Sequence, residues 1–210
     1  MADNPDLESA YALETPEDNL KLYRDWADTY DAEFVDATTY RFPRVVTRTY
    51  LDAGGLWPCL DVGCGTGALA VHFPADAMID GIDLSPDMLA VAARKGRYRN
   101  LIEANLKETL PIEDAAYNGL VSSGTFTHGH VGPEALPELI RCLAPEAVAV
   151  MTVRPQIWRD QLFAPAFGAL AEAGAITEPE VLEERVYADS DAAPEGHGDD
   201  TGYIVTFRRQ

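Results

Sequence analysis

A chain of 210 residues, 47% of them hydrophobic, suits one α/β domain with a real core. Its formal net charge of -19 repels phosphate backbones and argues against DNA or RNA as a substrate, and no run of 18 apolar residues offers a membrane span. The opening stretch MADNPDLESAYALE is acidic and lacks a basic-plus-apolar leader pattern, so a soluble, cytoplasmic protein is expected.

In chain order, residues 1–15 carry few periodic apolar positions and are expected to be a mobile segment. Residues 16–210 read as a single domain, divided into a helical lid over 16–55 and an α/β core over 56–210. A helix starts near Pro16, with Thr15 as its cap. Tyr23, Trp26 and Tyr30 fall on one face of it, an aromatic stripe suited to close over a ligand. A second helix is expected from Pro43 to the Gly54-Gly55 stop.

Strand and helix then alternate: strand 57–62, helix 67–73, strand 78–83, a Ser85-capped helix ending near Gly96, strands 100–104 and 117–122, helix 133–143, strand 147–153 and helix 156–173. The tail differs. Two alternating runs, 181–188 and 203–208, are joined by a polar stretch without a helix, which predicts an antiparallel hairpin closing an otherwise parallel sheet.

The first strand breaks into a loop with glycines at 63, 65 and 67. Bare backbone there lets N–H groups approach a ligand closely, with a helix N-terminus expected behind it. Asp83 ends the second strand 20 residues after Gly63, where a carboxylate accepts both hydroxyls of a ribose. Asp61, inside the first strand, sits poorly beside a pyrophosphate. A nucleoside whose head group tolerates Asp61 is favoured, and a sulfonium amino acid qualifies.

LDVGCGTG resembles motif I of the class I S-adenosylmethionine-dependent methyltransferases, and GIDLSPDML resembles their next motif. NLKETLPIEDAAYNGLV is similar to the segment leading into their fourth strand. LYRDWADTYD, with SSGTFTHGHVGPEALPELIRCLAPEA, most resembles the Williams–Beuren-region methyltransferase-like branch. The resemblance implies a Rossmann-like, doubly wound seven-stranded sheet of order 3-2-1-4-5-7-6, with S-adenosylmethionine as the cofactor. It further implies that Gly63, Cys64 and Gly65 lie against the cofactor's methionine part. Asp61 would reach its amino group, and Asp83 would hold the ribose. Leu84 and Met88 would pack near the adenine. Asn105 and Leu106 match the loop after the third strand, where the family often has Asp. Ser122 and Ser123 would border the methionine part, and Tyr40 matches a tyrosine that precedes the second helix.

On this reading Tyr23 and Tyr30 are the lid's contacts to the cofactor. His128 and His130, in the loop after the fourth strand, are the candidate general bases on the acceptor side. Arg154 is a further candidate there, for gripping a carboxylate. Cys59, Cys64 and Cys142 form no C-x-x-C pair, the four histidines are scattered, and no metal is expected. The function predicted is direct, in-line methylation of a small-molecule acceptor, whose reacting atom could be oxygen, nitrogen, sulfur or carbon. Two competing readings stand beside it: a non-catalytic nucleoside- or partner-binding protein on the same fold, motivated by Asn105 and Asn118, and a nicotinamide-dependent oxidoreductase, disfavoured by Asp61. Composition leaves the oligomeric state open.

Overall fold

The computed structural model describes residues 39–127, 131–160 and 162–210. The expected mobile segment over 1–15 and the aromatic helix beginning at Pro16 lie outside the described residues.

Helix α1 (Phe42–Asp52) has Pro43 in its first turn, where a missing N–H costs no hydrogen bond. Phe42, Val46 and Tyr50 recur every fourth residue, and all are buried. This face lies over β4 (Tyr117–Phe126) and β5 (Leu143–Val153), so α1 belongs to the sheet's covering layer. Tyr50 anchors it. Its hydroxyl donates to the Leu56 carbonyl, and its ring occupies space that a side chain at position 119 would need: a Cβ on Gly119 would lie 1.7 Å from the hydroxyl.

Seven strands form one sheet in the expected order, β3-β2-β1-β4-β5-β7-β6. β1 (Cys59–Val62), β2 (Ile79–Asp83), β3 (Asn100–Glu103), β4 and β5 are parallel. β7 (Thr201–Arg208) runs antiparallel between β5 and β6 (Glu180–Arg185), the hairpin that the helix-free tail predicts. Strand order reverses between β1 and β4, and the crevice past their carboxyl ends is where such sheets bind ligands.

Side chains alternate between two cores. Leu60 and Val62 pack with Ile82, Leu120 and Phe126 on one face, while Cys59 packs with Val46, Tyr50 and Ile79 on the other. Asp61, two residues on from Cys59, shares its face. Helix α2 (Pro86–Arg94) starts as its sequence predicts: the Ser85 hydroxyl accepts the Met88 N–H at 3.3 Å, and Asp87 lies in the first turn.

Three expected elements come out differently. The helix expected over 67–73 is only a 3-10 turn, Ala70–His72. Gly67 adopts a left-handed φ of 81° and donates to the Cys64 carbonyl, which closes the loop on itself, and Pro74 leaves no room for an α-helix to recover. The helix expected over 156–173 is two helices, α4 (Pro155–Asp160) and α5 (Phe163–Glu172), separated at Leu162, whose φ is 61°. Pro165, in the first turn of α5, resists a continuous helix through that junction. The helix expected over 133–143 is a 3-10 turn, Pro133–Ala135, followed by α3 (Leu136–Arg141), and Leu143 already belongs to β5. No helix among the described residues is long and apolar enough to cross a membrane.

Candidate cofactor-binding site

The carboxyl ends of β1 and β2 bring Asp61, Gly63, Cys64, Gly65 and Asp83 together. In register, Asp61 lies beside Gly81 and Val62 beside Ile82, so the loop leaving β1 curls over the end of β2. The N–H groups of Gly63 and Cys64 both donate to the Ile82 carbonyl, at 2.8 and 3.0 Å, which pins the turn. Gly63 has φ 65°, and a Cβ there would fall 2.1 Å from Thr125 Oγ1. Gly65 is also left-handed, but its missing Cβ points into open space. The first glycine is required by packing within the protein, whereas the second leaves backbone bare toward the crevice.

Asp83 joins this loop to α2. One carboxylate oxygen accepts the Gly65 N–H at 2.8 Å and the other the Ser85 N–H at 2.9 Å. Burial pushes its carboxyl up, and the N–H donors of Ser85, Gly65 and Leu84 pull it back down. Each oxygen keeps lone-pair capacity for a further donor.

Asp61 is 1% exposed and accepts the Tyr98 hydroxyl at 2.6 Å. Burial raises its carboxyl pKa to about 7; the Tyr98 hydrogen bond works against this rise, and nearby Asp83 adds to it. Burial and Asp83 also push the Cys64 thiol well above its usual value. The loop end of β1 is thus buried and acid-rich.

Tyr98, which sequence reasoning missed, lies in the turn between α2 and β3. A Cβ at Gly67 would meet its Cε2 at 2.9 Å, and one at Gly81 its Cε1 at 3.0 Å, so two glycines make room for one ring. Gly81 was the available signal: a glycine inside a buried strand marks a close approach.

The remaining candidates are placed as follows. Met88 is buried at the start of α2, and Leu84 is partly buried beside Asp83. Leu106 packs in the core with Val62 and Ile82. The Asn105 side chain is committed locally, accepting the Lys107 N–H and donating to Glu108, both at 3.0 Å. Ser122 is fully buried. Its hydroxyl donates to the Val62 carbonyl at 2.7 Å and shares a hydrogen bond with Thr125 Oγ1 at 2.9 Å, so it braces the end of β1 from inside. Tyr40 and Ser123 share a hydrogen bond at 3.3 Å. Arg154 is held by Asp200 at 2.6 Å, and Asp200 also meets His197 Nδ1 at 2.9 Å. Asn118 donates to the Trp57 carbonyl at 2.6 Å, at the amino end of β4 and far along the strand from the glycine loop. Tyr23, Tyr30, His128 and His130 lie outside the described residues. Among the described residues no cluster of His, Cys, Asp or Glu could hold a metal ion.

Residues 60–151, from β1 to β5, match the family model described as a methyltransferase domain. Human methyltransferase-like protein 27 is 30% identical over 155 residues, 70% of this chain and 62% of the relative. The chain thus spans about three fifths of that relative's length. Among solved structures, the cyclase SpnF matches 94% of this chain and 97% of its own at a TM-score of 0.66 and 20% identity. A phosphoethanolamine N-methyltransferase of Haemonchus contortus, solved with phosphomonomethylethanolamine and S-adenosylhomocysteine, matches 91% of this chain and 58% of its own at a TM-score of 0.62 and 14% identity. These structural likenesses carry the fold. The glycine loop and Asp83 fall inside the segment that matches the methyltransferase domain, and together with the human relative they support a class I S-adenosylmethionine-dependent methyltransferase.

Proposed function

We propose that this protein binds S-adenosylmethionine in the crevice past β1 and β2 and directs its methyl group, in line and without a covalent protein intermediate, onto a small-molecule acceptor. The observation that carries the reading is the single cradle formed by Gly65 and Asp83, whose N–H and carboxylate meet at 2.8 Å on the open side of the loop.

The residues fit such a ligand at both ends. Asp83 has the lone pairs to accept two ribose hydroxyls. Asp61 and Asp83, two carboxyls crowded in a buried wall, favour a cation, and a methionine ammonium supplies one. Leu84 and Met88 offer apolar surface for the adenine. Asn105 already bonds within its own turn, so its contact to the base is weaker than an aspartate's would be. When bound, S-adenosylmethionine supplies a methyl group on an electrophilic sulfonium. The chain's contribution is then to hold the nucleoside, orient the amino-acid end and exclude water, since alignment provides much of the rate of such a transfer.

For the acceptor side we propose His128 and His130 as candidate general bases, because their segment leaves the carboxyl end of β4 next to the glycine loop. Tyr23 and Tyr30 are the proposed lid contacts. A strongly acidic chain suits a small neutral or cationic acceptor better than a nucleic acid. The Haemonchus relative by fold acts on a small phosphorylated amine. The likeness to a cyclase favours keeping a second reading, a cofactor-binding protein of this fold that performs no methyl transfer.

Calorimetry with S-adenosylmethionine, S-adenosylhomocysteine and NAD tests the reading. Micromolar binding of both sulfur nucleosides, lost in Asp83→Ala, is expected. Binding of NAD alone would move the protein to the oxidoreductases. Release of S-adenosylhomocysteine with a trial acceptor separates the enzyme from the silent binder.

A further inference from the structure

The amino-acid end of the proposed cofactor site contains an arrangement that ribose and adenine recognition does not require. Asp61 is buried under Tyr98, whose hydroxyl donates to Asp61 Oδ2 at 2.6 Å. The ring is wedged against two positions that hold no side chain, Gly67 in the loop and Gly81 in β2. It therefore has little freedom to leave, and its hydroxyl is aimed at one carboxylate oxygen. The phenol is a neutral donor, so it orients Asp61 without supplying countercharge. Among the described residues Asp61 has no cationic partner.

We propose that Tyr98 is a positioning residue for the cofactor's ammonium group: through its hydroxyl it orients Asp61 and favours the ionised carboxylate, so that capture of the amino-acid end is coupled to release of one proton. The inference rests on the cofactor reading given above.

The titratable groups facing Asp61 are Tyr98 from the turn before β3, Asp83 from the end of β2, Cys64 from the glycine loop and Cys59 from its own strand. None of them brings positive charge. Burial and Asp83 hold a proton on Asp61, and Tyr98 works against them, with the balance at about 7. Below that pH the site presents a neutral acid and binds an ammonium poorly. Above it, the site presents a carboxylate that binds one well. An arriving ammonium shifts the same balance and expels the proton.

The test compares two ligands across pH by calorimetry. S-adenosylhomocysteine has the ammonium; methylthioadenosine has the nucleoside and thioether without it. In the wild type, affinity for S-adenosylhomocysteine should climb roughly tenfold per pH unit up to a midpoint near neutrality and then level off. Affinity for methylthioadenosine should stay flat. Tyr98→Phe, which keeps the ring, should weaken S-adenosylhomocysteine about tenfold at neutral pH and move the midpoint upward, and should leave methylthioadenosine unchanged. Asp61→Asn should abolish the pH dependence altogether.

A flat profile for S-adenosylhomocysteine in the wild type, or an unmoved midpoint in Tyr98→Phe, overturns the inference while the cofactor reading stands. Failure of the wild type to bind either nucleoside overturns both. If Tyr98→Phe also loses methylthioadenosine, the ring has failed as packing, and Asp61→Asn decides: a pH profile that survives that change overturns the inference.

Discussion

Asp80 and Asp61 lie one register step apart on neighbouring strands, and the alternation of the sheet puts them on opposite faces. Both are nearly inaccessible, at 3% and 1% exposure. Asp80 is surrounded by donors. Arg99 reaches it with Nε at 3.0 Å and Nη2 at 2.7 Å, Asn100 with its backbone and side-chain nitrogens, both at 3.1 Å, and Tyr117 with its hydroxyl at 2.9 Å. Its countercharge comes from within the chain, and the group ties β2, β3 and β4 together. Asp61 has a phenol above it and another carboxylate nearby. A buried carboxylate that is neutralised internally is scaffold. One left with neutral donors and a like-charged neighbour is the one that the proposed ammonium would neutralise.

Four measurements sharpen or break this contrast. The largest effect is expected from Asp80→Ala, which leaves the Tyr117 hydroxyl and both Asn100 nitrogens without their acceptor and releases the part-exposed Arg99, and should cost on the order of 3–5 kcal/mol in chemical denaturation. If the variant unfolds at the wild-type denaturant midpoint, Asp80 is not the brace described. Next comes the pH dependence of stability without ligand. Between about pH 4 and pH 7 the folded Asp61 keeps a proton that the unfolded chain has released, so stability should fall as pH rises through that window, by up to about 4 kcal/mol. Asp61→Asn should flatten that slope.

A smaller effect is expected on binding. Asp83→Ala removes the proposed ribose acceptor and should cost about 1.5–3 kcal/mol of affinity for S-adenosylhomocysteine in calorimetry. Asp80→Asn should leave that affinity within a few tenths of a kcal/mol. The smallest is Ser85→Ala. Loss of the cap on α2 should lower stability by about 1 kcal/mol in thermal or denaturant unfolding. Asp83 would still be held by the backbone N–H groups of Gly65 and of residue 85, so affinity should change little.

Much of the sheet was readable because its signals are local. Strand runs, the Ser85-Pro86-Asp87 start and the helix-free tail each specify an element from a few adjacent residues, and the parallel order with its hairpin follows from their sequence. The Gly63–Asp83 spacing was readable for the same reason: both ends belong to one strand–loop–strand unit. What escaped was set by contacts between distant residues. Tyr98 reads as one aromatic between two arginines, and only the folded chain brings its hydroxyl to a residue 37 positions away. Asp80 reads as half of an ordinary Ile-Asp pair. The helix expected over 67–73 failed because propensity favoured it, while the left-handed turn at Gly67 had already used the residues that would start it. Ser122 is buried, and the direction of its hydroxyl depends on the Val62 carbonyl across the strand pair, which no local pattern reveals.

The three-residue turn between β1 and β2 has a consequence for what counts as the folding unit. A parallel crossover normally brings its own helix to roof the sheet. Here the roof over that part comes from upstream: α1 lies against the 3-10 turn, and Val46 and Tyr50 share a cluster with Leu69, Ala70 and Phe73. The segment that matches the methyltransferase family begins at residue 60 and omits that roof. Cut there, the domain would keep every residue of its glycine loop and leave one flank of its sheet wet. A fragment that keeps both flanks of the sheet covered therefore includes α1, and any graft of this glycine loop onto another scaffold must bring α1 with it.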